Sequence, residues 1–167
     1  VAYSATFAKG AGVVAGGPFY CAEGSVVNAT GRCMASPAGI PTSTLVNTTN
    51  TWASQGHVDP VSNLQNSKAY LFSGSVDSVV KTGVMDALKT YYSSFVPAAN
   101  VVYKKDLAAE HSMVTDDYGS ACSAKGSQME RASTRPSIRA LGSSEAAIGT
   151  LITCWVSTPL NSKKVSM

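Results

Sequence analysis

The sequence predicts an α/β fold, a parallel sheet flanked by helices, and three observations predict it. Short apolar runs at Ala11–Ala15, Lys68–Ser73 and Asn100–Tyr103 have the length and the β-branched or aromatic content of buried strands. From about Ser78 to Phe95, Val80, Val84, Leu88 and Tyr91 recur along one helical face, and Pro97 stops the helix. Strand, turn, helix, strand is the βαβ pattern, whose crossover makes the two strands parallel neighbours.

Taken in order, Val1–Lys9 has apolar residues at near-helical spacing but no capping residue before it, and it reads as the later turns of a helix. Gly10 ends that helix, and Gly16-Gly17-Pro18 turns the chain out of the first strand. Phe19 to Asn66 is rich in turn formers, with one or two short helices expected, for example in the stretch from Ser43 to Ser54. Gly74-Ser75-Val76-Asp77 forms the turn after the second strand, and Asp106 to His111 forms the loop after the third.

With 167 residues and 44% apolar content, the chain suffices for one domain or a large piece of one. The charged fraction of 14% is low, and abundant glycine, serine, threonine, alanine and asparagine are more usual in secreted hydrolases than in cytosolic enzymes. The net charge of +3 comes from the tail: Lys and Arg number seven against eight acidic residues through Ser120, and six against two beyond it. Arg131, Arg135, Arg139, Lys163 and Lys164 form no dense run and lack interleaved aromatics, so nucleic acid is not an expected partner. No apolar run approaches membrane-spanning length, and no membrane association is expected.

The cysteines are Cys21, Cys33, Cys122 and Cys154; none lies in a CxxC pair, so disulfides are expected before zinc or redox chemistry. Cys21 and Cys33 enclose a short loop that a disulfide can fix, while Cys122 and Cys154 are disulfide candidates without an assigned partner. The sequons at Asn28 and Asn47 are glycosylation candidates and agree with an extracellular route. No signal peptide is visible, so a secreted protein is expected to start upstream of Val1.

Parallel sheets place ligands and catalytic groups where the loops converge, at the carboxyl ends of the strands. Asp77 and His111 both fall at that edge, on the loops after neighbouring strands. A carboxylate beside an imidazole is the acid–base pair of acyl transfer: the imidazole takes the nucleophile's proton and the carboxylate holds its tautomer. Spacing alone leaves two readings open, because Asp77 also suits the cap of the helix after it and His111 suits an ordinary polar loop. His57, before Asp59-Pro60, is read as a surface or loop-packing residue.

Several segments carry a family resemblance. Ala2-Tyr3-Ser4-Ala5-Thr6-Phe7, Gly10-Ala-Gly-Val-Val-Ala-Gly-Gly-Pro-Phe-Tyr-Cys-Ala22, Asp59-Pro60, Leu71-Phe-Ser-Gly-Ser-Val-Asp-Ser-Val-Val80 and His111-Ser-Met-Val-Thr-Asp-Asp-Tyr-Gly119 resemble, in order and spacing, the extracellular polyhydroxybutyrate depolymerases of fungi and bacteria. The resemblance covers roughly Val1 to Ser127 and implies a partial α/β-hydrolase fold in which Asp77 is the triad acid and His111 the triad histidine. It implies a polyester or small ester substrate, no cofactor or metal, and a monomer when complete. On this reading residues 1–127 are the C-terminal part of the catalytic domain and residues 128–167 a divergent tail without a predicted structure.

The chain departs from the family pattern in one respect that matters chemically. The family's serine sits in a Gly-x-Ser-x-Gly-like elbow, and no such pentapeptide occurs from Val1 to Met167. Ser4 stands nearest to the expected place but inside the expected helix, and it is rejected as a substitute. The expected function is therefore serine-esterase hydrolysis of polyhydroxybutyrate or its oligomers with the serine upstream of this chain, which by itself is expected to be inactive. The alternatives are a secreted feruloyl or acetylxylan-type esterase and a non-catalytic fragment that binds an apolar ester surface, with Trp52, Tyr91 and Tyr92 as candidate contacts.

Overall fold

The computed structural model describes residues 1–6, 10–115, 120–122 and 153–155. Its central sheet has three parallel strands, β1 (Gly10–Val14), β2 (Lys68–Phe72) and β3 (Val101–Lys104), in the order β1-β2-β3. The register places Leu71 of β2 between Val13 of β1 and Tyr103 of β3. Successive residues of a strand face opposite sides. Accordingly Ala69 and Leu71 are buried, whereas Tyr70 and its register partner Val102 are about half exposed on the other face.

Two helices cover the buried face. Helix α2 (Thr42–Ser54) supplies Leu45 and α3 (Thr82–Tyr92) supplies Met85, Leu88 and Tyr91, all packed into one cluster with Ala69, Leu71, Phe95 and Val96. The apolar face expected for α3 is the one it buries, with Val84 and Met85 fully enclosed. The α3 helix is shorter than the expected Ser78–Phe95. At its start, the amides of Val79 and Val80 are taken by the Asp77 carboxylate and that of Lys81 by the Met34 carbonyl, so these residues form a turn instead of a first helical turn. At its end, Ser93–Val96 fold into a turn against Tyr92 before Pro97.

The excursion between β1 and β2 holds α1 (Val26–Thr30), a π turn at Gly31–Ala35, α2 where a helix was expected, and a 3-10 segment at Val61–Asn66. The Ser25 side chain caps α1 by accepting from the amide of Asn28 at 3.3 Å. Cys21 and Cys33 are joined as expected, with Cα atoms 6.0 Å apart. Of the two sequons, Asn47 is exposed on α2, while the Asn28 side-chain amide is engaged with the Ala22 carbonyl at 3.2 Å.

Val1–Thr6 are not helical, which corrects the expectation for that part of the segment; residues 7–9 lie outside the described residues. The amides of Ser4 and Thr6 bond three residues back, to Val1 and Tyr3. Asp59 takes over the remaining backbone: its carboxylate accepts from the amide of Ala5 at 2.8 Å and its own amide donates to Ala2. A second small sheet runs β4 (Met113–Thr115), β6 (Thr153–Trp155), β5 (Ser120–Ala121), all parallel. Strand β6 comes from the tail for which the sequence predicts no structure; the rest of 128–167 lies outside the described residues.

The joint between α2 and α3 carries a buried polar bridge. The Thr49 hydroxyl donates to the Leu45 carbonyl at 2.8 Å, so the Tyr91 hydroxyl, 2.6 Å away, must be the donor to Thr49. Burial pushes the Tyr91 phenol up to about 12. A folded-state value above the unfolded one stabilises the fold below about pH 10, and that contribution disappears as the pH rises through the range between the two values. Tyr91→Phe is expected to cost about 1 kcal/mol near neutral pH and to flatten the alkaline loss of stability, as urea denaturation at several pH values will measure.

Candidate active site

The site forms where the loops after the three strands meet. Backbone bonds join the loops after β2 and β3: Ser73 donates to Lys104 at 2.9 Å and Ser75 to Leu107 at 2.8 Å. Between them Gly74 passes so close to the other loop that a Cβ on it would collide with the Ala109 carbonyl oxygen. Only a residue without a side chain fits there. Phe72, Ala109 and Cys122 form a small apolar cluster beneath this junction, joined by Val14, Leu107 and Val114.

On this platform the Asp77 side chain is 1% exposed and the His111 side chain 31%. Burying a carboxylate is costly unless its oxygens are paired. One oxygen of Asp77 accepts from the amides of Val79 and Val80 at 2.9 and 2.8 Å, and the other faces His111 Nδ1 at 3.1 Å. A carboxylate offers only acceptors, so in the neutral imidazole the proton sits on Nδ1 and leaves Nε2 with a lone pair. One oxygen of Asp77 thus closes the turn before α3, whose N-cap is Lys81 and not Asp77, and the other pairs with His111, which is no isolated loop residue.

His111 opens onto a cleft of about 460 Å³ and is the one ionisable side chain among the described residues that line it. Ala15–Pro18 beyond β1 form one wall, and the Cys21–Cys33 bridge, Met34 and Val80 extend the apolar lining. Ala15 reaches its place through a left-handed backbone, φ 49°, held by a bond from its amide to the Phe72 carbonyl at 3.0 Å. Among the described residues no cluster of His, Cys, Asp or Glu could hold a metal ion.

Other residues singled out in the sequence lie elsewhere. His57 is exposed, Trp52 packs against Phe19 and Tyr20, and Tyr91 is buried beside Tyr92 and Phe95. Ser4 is 4% exposed and its hydroxyl is engaged with the Pro60 carbonyl and the Asn63 amide. Cys122 takes part in a disulfide; the side chain of Cys154 lies outside the described residues. Two contributors escaped the sequence reading. Glu110 bonds the amide of Ser78 at 2.9 Å, and Gly74 sets the loop spacing; neither spacing nor composition marks a residue whose partner is a backbone group on another loop.

The sheet and its loops define an α/β-hydrolase-like protein, present here in part. No family model matches the sequence. The chain is 89% identical over 126 residues to a poly(3-hydroxybutyrate) depolymerase of Delftia acidovorans, a match covering 75% of this chain and 26% of that protein. It is 36% identical over 119 residues to a polyhydroxybutyrate depolymerase of Talaromyces funiculosus, covering 71% and 34%. Two solved structures align at 31% identity: a serine-to-alanine PHB depolymerase complexed with an R3HB trimer, with TM-score 0.66 over 74% of this chain and 38% of that one, and PHB depolymerase from Penicillium funiculosum, with TM-score 0.62 over 72% and 37%. The matched part of this chain belongs to the poly(3-hydroxybutyrate) depolymerase family, and the chain spans about a quarter to a third of the length of these curated relatives.

Gly74→Ala is expected to push the two loops apart, to lengthen the His111–Asp77 contact beyond hydrogen-bonding distance, and to destabilise the fold by roughly 1–3 kcal/mol. Denaturant unfolding and the imidazole proton resonances of His111 measure the two effects.

Proposed function

We propose that the complete protein hydrolyses the ester bonds of poly(3-hydroxybutyrate) or its oligomers through a serine, His111 and Asp77. The observation that carries this reading is the His111 Nδ1–Asp77 Oδ2 contact of 3.1 Å beside an apolar cleft, in a chain whose matched part belongs to a depolymerase family. The serine is taken to come from a part of the complete protein outside these residues, since no Gly-x-Ser-x-Gly occurs among them.

In this mechanism Nε2 of His111 accepts the serine proton as the serine oxygen bonds to the ester carbonyl carbon. It then returns the proton to the departing alcohol oxygen as the ester bond breaks. Water, deprotonated by the same nitrogen, releases the acyl group as a hydroxy acid and regenerates the serine. Asp77 holds the Nδ1–H tautomer and stabilises the imidazolium that forms twice in each cycle. The apolar walls around His111 suit an aliphatic polyester with no charge along its length, and no step calls for a metal or organic cofactor.

The chain without its serine is proposed to have no turnover. Residues 1–127 are read as part of the catalytic domain, with 128–167 a tail joined to it through β6. The Cys21–Cys33 disulfide and the export of such bonds to oxidising compartments support an extracellular location. The described residues include no helix long and apolar enough to cross a membrane.

Asp77→Asn and His111→Ala in the complete protein are each expected to lower kcat on 3-hydroxybutyrate oligomer esters by about 10⁴-fold with the fold retained. Near-normal turnover of either variant, with an unchanged circular dichroism spectrum, would refute the triad.

A further inference from the structure

Three consecutive amides, those of Ser78, Val79 and Val80, are each taken by a carboxylate, but not by the same one. Asp77 closes on Val79 and Val80, as an aspartate at the start of a turn does without outside help. The amide of Ser78 points instead to Oε2 of Glu110 at 2.9 Å, and Glu110 belongs to the histidine loop, immediately before His111. The backbone amide of Glu110 is itself fastened to the Cys122 carbonyl at 2.8 Å. One residue therefore ties the turn that carries the acid to the loop that carries the base, and ties both to the small cluster around Cys122.

The contacts between β2 and β3 do not fulfil this role. Gly74 against Ala109 and Ser75 against Leu107 fix the roots of the two loops. Beyond them the Glu110 carboxylate reaches across to the Ser78 amide and the Asp77 carboxylate to His111. Without the Glu110 carboxylate, the two loops would lose the Ser78 bond and lean more heavily on the bond between Asp77 and His111, the latter about a third exposed.

We propose that Glu110 is a positioning residue for ester hydrolysis: by accepting the Ser78 amide it sets the Asp77 carboxylate in line with His111. This rests on the triad reading above. The role is one of geometry and requires an acceptor oxygen at that reach, so a glutamine fulfils it and an alanine does not. A shorter aspartate falls short of the amide. Misplacement of a catalytic pair by about an ångström costs up to about a hundredfold in rate.

The test compares E110A, E110Q and E110D in the complete protein with D77N and H111A, on soluble 3-hydroxybutyrate oligomer esters. E110A and E110D are expected to lose about tenfold or more in kcat with little change in KM, while E110Q restores most of the loss and keeps the wild-type pH profile. The proposal is overturned if E110A or E110D turns over at the wild-type rate, whatever its Tm. It is equally overturned if E110Q is as slow as E110A and its pH profile is displaced, since the charge would then be what matters. Should E110A fail to fold, the contrast between E110D and E110Q decides alone. Full activity in D77N and H111A removes the triad reading and this proposal with it. Their inactivity beside a fully active E110A removes only the role of Glu110.

Discussion

The burial of one carboxylate governs the arrangement of this molecule's loops. At 1% exposure, Asp77 has exchanged the hydration of both its oxygens for protein donors, and an ionised group in that position is tolerable only if each oxygen is occupied. Two backbone amides and one imidazole nitrogen meet the need. The amides come from residues that would otherwise open α3, which is why that helix starts at Thr82. The imidazole comes from the loop after the neighbouring strand. A local demand for hydrogen-bond donors thus sets a helix boundary and a contact between two loops.

That contact is possible because the parallel sheet delivers both loops to one edge. β2 and β3 are register partners from Ala69–Val101 to Phe72–Lys104, and the loops leave side by side at the same height. Gly74 then permits an approach that no other residue allows at that point. The same edge receives the turn after β1, whose residues Ala15–Pro18 supply a wall of the cleft. Three loops of unrelated sequence converge on His111 because three strands run the same way.

The excursion between β1 and β2 performs a different task. It contains little regular structure near the site, and its short helix α1 and the π turn at Gly31–Ala35 have no buried residues of their own to hold them. The Cys21–Cys33 bridge supplies the missing constraint, and Arg32 adds paired bonds to the Cys21 carbonyl and an ion pair with Glu23 at 2.8 Å. A wall of an open apolar cleft is thereby held by a covalent link anchored in the core through the buried Cys21.

The sequence by itself determined the fold class, the order of the three strands and the two helices, because apolar periodicity and chain punctuation act locally and leave their mark on neighbouring residues. It also singled out Asp77 and His111, through their place just beyond strand ends and through motifs matching a family, and it paired Cys21 with Cys33 across a short loop. Only the tertiary structure decided that Asp77 is at once a turn cap and the partner of His111, since that depends on which loop lies beside it. The non-helical Val1–Thr6 segment, drawn out by Asp59 from more than fifty residues away, was beyond reach for the same reason. So were Gly74 and Glu110: a clash with a carbonyl and a bond to an amide involve backbone groups that every residue possesses, and their placement is written in the packing of the sheet and not in the spacing of the letters.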